Sequence, residues 1–337
     1  MKLPFEGKKT STGQLSTNED ALLALEKHHP IAAKILDYRE LAKLKSTYVD
    51  ALPEMINKKT GRVHTTFRQH IAATGRLASD NPNLQNIPIR TDRGKKIREA
   101  FVPRDENHIL LSADYSQIEL RLVAELSGDE NMIEAFKNKL DIHTATAAKV
   151  FNVDEKDVTK EMRYKAKSVN FGIIYGQGAF GLAENLGISR GEAKTIIDNY
   201  KKQFPGIQKY MDDTISFAKT NGYVETLMGR KRWLKDITSA NFTVRGFAER
   251  NAINAPIQGS AADMIKVAMI QIHNWLNQEK LKTRMILQVH DELLFDVPNN
   301  ELQLVQTEIK TLMENALPLS IPVVVESGIG NNWLEAH

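Results

Sequence analysis

The sequence predicts a mixed α/β (α+β) fold in which a long helical segment interrupts a sheet. A short apolar run at residues 108–113 is typical of a buried strand, and two further runs, at residues 285–289 and 293–297, predict a second and a third strand. Between them, from residue 117 to about residue 248, the pattern is mostly helical, with breaks at glycines and at Pro205. The helical segment is therefore predicted to be an insertion between parts of one sheet.

The remaining elements follow from local patterns. Residues 1 to about 52 have a polar start followed by helical apolar faces, and residues 63–70 alternate as a strand does. The next segment, TGRLASDNPNLQNIP, is rich in Asn and Pro and predicts a long loop, which in a compact protein indicates a function. Two helices are expected at residues 244–255 and 260–278, because Pro256 limits the first. The last strand is predicted at residues 322–327.

Composition excludes several classes of protein. The chain has 337 residues, of which 42% are hydrophobic and 26% are charged, as in a soluble globular protein. It contains no cysteine, which excludes disulfides and cysteine-ligated zinc or iron–sulfur sites. The segment MKLPFEGKKTSTG lacks the apolar core of a signal peptide, and no stretch reaches the roughly twenty apolar residues of a membrane span. We therefore expect a cytoplasmic protein without a membrane role.

Basic residues form two clusters, although the net charge is only +3. The first cluster comprises Arg90, Arg93, Lys95, Lys96 and Arg98, and the second comprises Arg230, Lys231, Arg232 and Lys235. Either cluster alone is typical of a solvated loop, whereas both together fit a surface that follows a phosphate backbone. The distribution of charge, rather than its sum, is what favours a polyanionic partner.

The segment RYKAKSVNFGIIYG repeats cations and then aromatic rings at spacing four, at Arg163, Lys167, Phe171 and Tyr175. On an α-helix this spacing forms one stripe about 18 Å long, slightly longer than an extended nucleoside triphosphate. Thr159 suits the start of such a helix and Gly176 suits its end. The stripe fits cations against phosphates and rings against sugar and base. The alternative is a solvated basic face that runs into a core-facing aromatic end.

Two aspartates, Asp114 and Asp291, stand at the predicted tips of strands. An unpaired carboxylate at the end of an apolar run is costly unless a cation lies nearby. If both tips belong to one sheet, the pair can hold two magnesium ions that serve an in-line phosphoryl displacement. The alternative is that each is a turn or capping residue. The predicted hairpin tip of His290, Asp291 and Glu292 also lacks the Gly or Asn of a tight turn, which points to a functional constraint.

Three segments resemble the signature motifs of family A DNA polymerases, the bacterial DNA polymerase I type. They are DYSQIELR (residues 114–121), RYKAKSVNFGIIYG (163–176) and QVHDE (288–292), in the order of the family. The resemblance is nearly continuous from about residue 40 onward and includes TGRLASDNPNLQNIP and NAPIQGSAADMIK. It implies a right-hand architecture with an antiparallel-sheet palm (residues 53–119 and 246–337), helical fingers (120–245) and a partial helical thumb (1–52). It also implies a fragment without exonuclease domains and without most of the thumb.

The resemblance assigns the metal-binding and phosphate-binding residues. Asp114 and Asp291 match carboxylates that bind two Mg²⁺ ions, for which Mn²⁺ can substitute. The backbone carbonyl of Tyr115 is a further implied ligand, and Glu292 is an additional candidate. The residues that match the holders of the β- and γ-phosphates are Arg163, Lys167 and His143. Lys167 is the candidate proton donor to the departing pyrophosphate.

The resemblance also assigns contacts with the sugar. Phe171 matches the ring beside the incoming sugar, and because it lacks a hydroxyl, dideoxynucleotides are expected to be poor substrates. Glu119 matches the side chain that crowds the 2′ position, with Tyr175 beneath it, so a ribonucleotide should be disfavoured. Gln117 is assigned to the same substrate-binding set.

Contacts with DNA are implied at the minor-groove side of the primer–template, by Arg76, Arg250, Asn254, Gln258 and His290. Because the minor-groove acceptors are similar in every Watson–Crick pair, donors placed there check shape rather than sequence. Arg250, Asn254 and Gln258 are at spacing four, although Pro256 argues against one unbroken helix through all three.

The implied reaction is the addition of a deoxynucleoside monophosphate from a dNTP to a primer 3′-OH, with release of pyrophosphate. The implied partners are primer–template DNA and dNTP, and the expected state is a cytoplasmic, nucleoid-associated monomer. Two alternatives use some of the same residues: a two-metal nuclease, and a DNA-binding module without catalysis. Single-subunit RNA polymerases have a palm of the same kind, but Glu119 favours deoxyribonucleotides as substrates.

Overall fold

The computed structural model describes Lys9, residues 12–89 and residues 91–337. Within these ranges the chain divides into two compact units, residues up to 66 together with 79–101, and residues 67–78 together with 102–337. Arg90 of the first basic cluster lies outside the described residues, as does the start of the segment predicted as a partial thumb.

The first unit is mainly helical. Its helices are α1 (Glu19–Glu26), α2 (Ile31–Leu44), α3 (Ala51–Glu54) and α4 (Asp92–Lys95), with a π-helical segment at Lys45–Asp50 and 3₁₀ segments at Leu84–Asn86 and Lys96–Ala100. The Tyr48 hydroxyl donates to the carbonyl of Asn86 at 2.6 Å. Two short strands, β1 (Thr66–Arg68) and β2 (Ala78–Asp80), pair with each other where the chain passes between the units. The strand predicted at residues 63–70 is therefore shorter than expected.

The second unit combines a four-stranded sheet with most of the helices. Its first elements are β3 (His108–Tyr115), α5 (Ile118–Ser127), α6 (Glu130–Lys137), α7 (Ile142–Phe151), α8 (Lys160–Ile174), α9 (Ala179–Leu186), α10 (Arg190–Gln203) and α11 (Pro205–Asn221), with a 3₁₀ turn at Glu155–Asp157. They are followed by β4 (Tyr223–Glu225), β5 (Lys231–Trp233), α12 (Phe242–Gln278), β6 (Arg284–Val289), β7 (Glu292–Pro298), α13 (Leu302–Glu314), β8 (Val325–Gly330) and α14 (Trp333–Ala336).

The sheet is antiparallel, with strand order β6–β7–β3–β8. Leu111, Ala113 and Tyr115 of β3 point into the main apolar core, together with residues of α5, α12 and α13. Because side chains alternate along a strand, Ser112 and Asp114 lie on the opposite face. There, Trp333 of α14 contacts Glu292 of β7. The predicted mixed fold is confirmed. Because β3 and β7 are antiparallel neighbours, Asp114 near the end of β3 and Glu292 at the start of β7 lie at the same end of the sheet.

Helix α12 runs through Pro256, so the predicted interruption there is wrong. Proline removes the N–H that would bond the carbonyl of Ala252, which costs about 3 kcal/mol in a helix interior. Pro256 is buried, as are Ala252, Ala255 and Ile257. Burial of this apolar face, at about 0.8 kcal/mol for each buried methylene, outweighs the local defect.

Two strand predictions also need correction. The segment predicted as mostly helical also contains the hairpin of β4 and β5, whose Val224 packs in a small core with Ala248 and Ala252 of α12. The last strand is β8, a few residues beyond the predicted residues 322–327, because Val325 is the residue that pairs with Tyr115. The bounds of β8 are set by its pairing with β3, which is far away in the sequence, so local alternation does not reveal them. Among the residues described, no helix is long and apolar enough to cross a membrane.

Candidate active site

The two predicted acidic residues meet at the end of the sheet. Asp114, near the end of β3, lies directly opposite Glu292, the first residue of β7. Asp291 precedes Glu292 in the two-residue turn that joins β6 to β7, and the Tyr115 N–H donates to its carbonyl at 3.2 Å. Directly opposed residues of antiparallel strands hold their Cβ atoms about 5 Å apart. The backbone therefore brings Asp114 and Asp291 to adjacent strand ends.

The environment opposes ionisation of both carboxyls. Burial, followed by repulsion from Asp291 and Glu292, raises the pKa of Asp114 from 3.8 to about 7. Burial, followed by repulsion from Glu119, raises the pKa of Asp291 to about 6, against the opposing charge of Arg76. Among the described residues, neither carboxylate makes a side-chain hydrogen bond or ion pair. The pair is a concentration of negative charge without compensating protein donors.

Glu292 has a different environment from the two aspartates. Its carboxylate accepts hydrogen bonds from the Ser112 hydroxyl at 2.7 Å and the Trp333 indole N–H at 2.8 Å. His337 Nδ1 lies 3.4 Å from its other oxygen. Burial alone would raise the pKa of Glu292, but the hydrogen bonds from these three donors hold it below its ordinary value. The protein itself thus satisfies this carboxylate.

Backbone strain marks two positions next to the acids. His290, in the β6–β7 turn, has φ of 55°, and Gln117, at the N-cap of α5, has the same φ. A residue with a Cβ costs about 1–2 kcal/mol in this left-handed region. The Gln288 side chain donates to the His290 carbonyl at 2.5 Å and helps to hold the turn. His290 is exposed.

The predicted helix with the stripe of cations and rings is α8. As expected, Thr159 caps its start by accepting from the N–H of Met162, and the helix ends before Gly176, which has φ of 69°. Lys167 is exposed, and Phe171 and Tyr175 are half-buried. Arg163 is exposed too and donates to Asp141 at 2.6 Å. No ion pair joins Arg163 or Lys167 to the two aspartates within the described part of the chain.

His143 lies beside this stripe in a buried polar network. The Asn170 amide nitrogen is 3.1 Å from Nδ1 of His143 and also 3.1 Å from the Thr146 hydroxyl oxygen. The His143 ring contacts the Phe171 ring, with 5.8 Å between centroids. Burial lowers the pKa of His143 to about 4 although Asp141 opposes the shift, so the ring is neutral at pH 7.

Sequence analysis missed two residues that position this part of the site. Asp141 caps α7 by accepting from the N–H groups of His143 and Thr144, and it also binds Arg163. An aspartate immediately before an apolar helical pattern is a recognisable capping signal. Asn170 left no comparable signal, because its partners lie 24 and 27 residues away along the chain.

Glu119 is hydrogen-bonded to two other predicted residues, Arg76 and Tyr175. It is buried, accepts from Arg76 at 2.5 Å, and also accepts from the Tyr175 hydroxyl. Burial, followed by the charge of Glu119, raises the pKa of Tyr175, whereas a hydrogen bond with Gln258 opposes the rise. The charge of Glu119 raises the pKa of Asp291 and that of Arg76 lowers it. This cluster therefore connects the end of α8 electrostatically with the acidic pair.

The unbroken α12 presents Arg250, Asn254 and Gln258 at spacing four. Arg250 is exposed and packs on Gly176, where an added Cβ would lie 2.5 Å from Cγ of the arginine. The Asn254 side-chain oxygen is buried and has no hydrogen-bond partner among the described residues. A buried acceptor without a partner costs about 1–3 kcal/mol, so this face is unsatisfied in the protein alone.

The basic clusters are only partly available to a phosphate backbone. Arg98 is buried, and Arg93 pairs with Asp37. The Arg230 guanidinium donates to Asp263 at 2.9 Å, to the carbonyl of Thr74 at 2.7 Å and to that of Gly259 at 3.1 Å. Arg230 is thus held inside the protein by residues far away in the sequence, whereas Arg93 forms its ion pair at the surface.

The donor set of the acidic pair fits a magnesium-type ion. Among the described residues, no three or more His, Cys, Asp or Glu side chains are arranged to hold a metal by themselves. Mg²⁺ is commonly bound by only one or two carboxylates, with water and substrate phosphates completing its shell. Two carboxylates that have raised pKa values and that make no side-chain hydrogen bond or ion pair with any described residue match that pattern.

Comparison with known proteins assigns the chain to a family that fits this fold and site. The sequence model of DNA polymerase family A matches residues 1–335, and the chain belongs to this family. The resemblance predicted from the three motifs is confirmed.

Individual relatives are similar over nearly the whole chain. DNA polymerase I of Geobacillus stearothermophilus is 51% identical over 329 residues, which cover 98% of this chain and 37% of that protein. DNA polymerase I of Caldicellulosiruptor bescii is 53% identical over 335 residues, which cover 99% of this chain and 39% of the relative. The chain thus spans less than half the length of these curated relatives.

A solved structure has the same fold. The POL domain of Pol1 from M. smegmatis, in complex with DNA primer-template and dNTP, superimposes with a TM-score of 0.94 and 45% identity. The match covers 100% of this chain and 59% of that chain.

Proposed function

We propose that this chain catalyses template-directed addition of a deoxynucleoside monophosphate to a primer 3′-OH, with release of pyrophosphate. The observation that carries the proposal is the convergence of Asp114 and Asp291 at adjacent strand ends, where their pKa values are raised to about 7 and 6 and where, among the described residues, neither carboxylate makes a side-chain hydrogen bond or ion pair. The family and the DNA and dNTP bound to the Pol1 neighbour support the same reaction.

Asp114, Asp291 and the backbone carbonyl of Tyr115 are the residues that would hold two Mg²⁺ ions, or Mn²⁺ in their place. Bound ions of this kind lower the pKa of an attacking hydroxyl and neutralise charge on the leaving oxygen. Glu292 would act on this site indirectly, since Ser112 and Trp333 already occupy its carboxylate. Its bonds fix the start of β7 and hence the position of Asp291.

The exposed cations of α8 would bind the triphosphate. Lys167 is available to donate a proton to departing pyrophosphate, as a general acid does. Arg163 would exchange Asp141 for a phosphate oxygen. When Asn170 donates to Nδ1 of His143, the imidazole proton resides on Nε2, so His143 would donate a neutral hydrogen bond.

The sugar would be selected by the cluster around Glu119. Arg76 and Tyr175 fix both carboxylate oxygens of Glu119, so the side chain cannot easily move aside for a 2′-hydroxyl. Phe171 supplies a ring without a hydroxyl beside the sugar, and Gln117 lies at the start of the same helix as Glu119. This arrangement favours a deoxyribonucleotide with an intact 3′-OH.

Primer–template DNA would bind along α12 and the β6–β7 turn. Arg76, Arg250, Asn254, Gln258 and His290 would act as contacts with the minor-groove side of the newest base pairs. These donors check pair geometry and read little sequence.

We further propose the subdomain and cellular context. Residues 53–119 and 246–337 would form the palm, residues 120–245 the fingers, and residues 1–52 part of the thumb. The protein would act as a monomer on chromosomal DNA in the cytoplasm, in keeping with bacterial relatives named DNA polymerase I.

A primer-extension experiment tests the proposal. Wild type is expected to extend a labelled primer when Mg²⁺ and all four dNTPs are present and to do nothing without Mg²⁺. Asp114→Ala and Asp291→Ala should abolish extension while duplex binding is retained, and Asp198→Ala, at an exposed position on α10, is the matched control. Extension by either aspartate variant near the wild-type rate would contradict the proposal. Shortening of the DNA in the absence of dNTP would favour the nuclease alternative.

A further inference from the structure

A row of aromatic rings lies on the outer surface of the β4–β5 hairpin. Tyr223 pairs directly with Trp233, and their ring centroids are 5.1 Å apart. Phe217 of α11 meets Tyr223 edge to face at 5.6 Å. The side chain of Trp233 is 66% exposed and that of Phe217 is 43% exposed. We call these three residues the aromatic row.

The aromatic row is not needed for the core beneath it. The inner face of the hairpin is provided by Val224, which is buried with Leu234 and Ile237 and packs on Ala248 and Ala252 of α12. Because neighbouring side chains along a strand face opposite sides, Tyr223 and Trp233 point away from that core. A large exposed aromatic surface on an already packed hairpin is typical of a binding site.

The charge around the row favours a polyanion. Residues 217–235 contain five Lys or Arg side chains and a single acidic one, Glu225. Of the basic ones, Arg230 is bound in the interior by Asp263, and the Lys231 ammonium lies 3.6 Å from a carboxylate oxygen of Glu225 at the surface. The ammonium of Lys231 lies 4.2 Å from the centroid of the Tyr223 ring, so a cation and an exposed ring share one surface. Proteins that bind single strands combine the same two features, rings for bases and cations for phosphates.

The position of the hairpin connects the row to the proposed DNA interface on which this inference rests. The hairpin is anchored to α12, where Arg232 donates to the Asn251 side chain at 3.2 Å. Lys219 of α11 pairs with Glu249 of α12 at 2.7 Å. Arg250 and Asn254 belong to this same stretch of α12. A helix is about 10 Å across, so an unpaired strand leaving these residues reaches the hairpin within a few nucleotides.

We propose that the aromatic row binds unpaired, single-stranded DNA, namely the template strand ahead of the primer terminus. The bases of this strand stack on the Trp233 ring and contact the edge of Tyr223, and Lys231 contacts a phosphate. The competing explanation is a protein interface, most simply with a second copy of this chain, since exposed rings also serve protein association.

Binding of a labelled oligothymidylate of about twenty nucleotides, followed by fluorescence anisotropy, tests the proposal. Trp233→Ala is expected to weaken binding at least fivefold, because stacking of one base on an aromatic ring changes the affinity by at least this factor. Trp233→Phe keeps a ring and is expected to retain most of the affinity. Lys231→Ala should reduce the salt dependence of binding by about 0.7 in the log–log slope. Leu304→Ala, which removes an exposed apolar side chain on α13, is the control. In the wild type, the oligonucleotide should quench tryptophan fluorescence, since Trp233 is exposed, whereas Trp275 is half-buried and Trp333 is buried, and Trp233→Phe should remove this quenching.

Primer–templates with a long or a one-nucleotide template overhang separate this proposal from the proposed function. Trp233→Ala should weaken binding of the long overhang more than that of the short one. Equal losses on both, or unchanged oligothymidylate affinity, would overturn the proposal. Self-association of the wild type that Trp233→Ala abolishes without changing DNA affinity would overturn it in favour of a protein interface. If no dNTP is incorporated, the proposed function fails while the binding results still decide the role of the row.

Discussion

Replacing Asp114 by Asn should stabilise the fold at neutral pH while it abolishes activity. The pKa of Asp114 rises from 3.8 to about 7 on folding, chiefly through burial and secondarily through the charges of Asp291 and Glu292. A shift of about 3 pH units corresponds to about 4 kcal/mol of unfavourable free energy when the carboxyl is ionised. Asn keeps the shape and cannot ionise. We therefore expect a gain of about 2–4 kcal/mol in the free energy of unfolding above pH 7.

The sign of the pH dependence follows from the same shift. Below about pH 4 the carboxyl is protonated in both folded and unfolded chains, so Asp114→Asn should have little effect there. Between pH 4 and 7 the unfolded chain loses the proton first, so the wild type becomes progressively less stable than the variant. The expected advantage of the variant thus grows with pH and levels off above the folded-state pKa of about 7.

Urea denaturation from pH 4 to 8, followed by tryptophan fluorescence and circular dichroism, measures this difference. Asp198→Asn, at an exposed position of α10, controls for the loss of one negative charge and should stay within about 0.5 kcal/mol of the wild type. Added Mg²⁺ should raise the denaturation midpoint of the wild type and leave that of Asp114→Asn nearly unchanged. A stability gain that is equal at pH 4 and pH 8, or a loss at pH 8, would refute the electrostatic argument.

Four further substitutions test other parts of the site. Lys167→Ala should lower single-turnover incorporation by about 10²–10⁴-fold while the affinity for duplex DNA is retained, as expected for loss of a general acid. Glu119→Ala should reduce the preference for dNTP over rNTP, measured as the ratio of kcat/KM values, by at least about tenfold. Phe171→Tyr should raise incorporation of dideoxynucleotides, scored as termination bands on a primer-extension gel. His143 should contribute a loss of about 3 kcal/mol as the pH falls from 6.5 to 4, because burial lowers its pKa to about 4, so His143→Phe should gain about that much stability relative to the wild type over this range in urea titrations.

The parts of the site that sequence predicts well are those set by local spacing. The α8 stripe depends on a spacing of four, a cap at Thr159 and a stop at Gly176, all of which lie within one segment. The position of Asp114 near the end of a buried strand can also be predicted from local sequence alone.

The parts that sequence could not predict depend on partners far along the chain. Arg230 belonged to a basic cluster in the sequence, but contact with Asp263 and Thr74 makes it structural. Glu292 is predicted as a candidate ligand, and the sequence did not reveal that one of its oxygens accepts a hydrogen bond from Trp333, 41 residues later. Likewise, Pro256 predicted a helix end, but packing of the surrounding small residues overrides this local preference. Such outcomes follow from tertiary contacts, which no local pattern encodes.

The destabilising features of the second unit, residues 67–78 and 102–337, are concentrated where the substrates would bind. Asp114 and Asp291 repel neighbouring charges, His290 and Gln117 adopt left-handed backbone conformations, and the Asn254 oxygen lacks a hydrogen-bond partner among the described residues. The left-handed residues cost about 1–2 kcal/mol each, and the buried acceptor a similar amount. Bound cations would relieve the repulsion at Asp114 and Asp291, whereas the strained backbone at His290 and Gln117 holds these two side chains in place before a substrate binds. Substitutions that remove these costs should therefore stabilise the free protein and weaken binding of metal ions or DNA at the same positions.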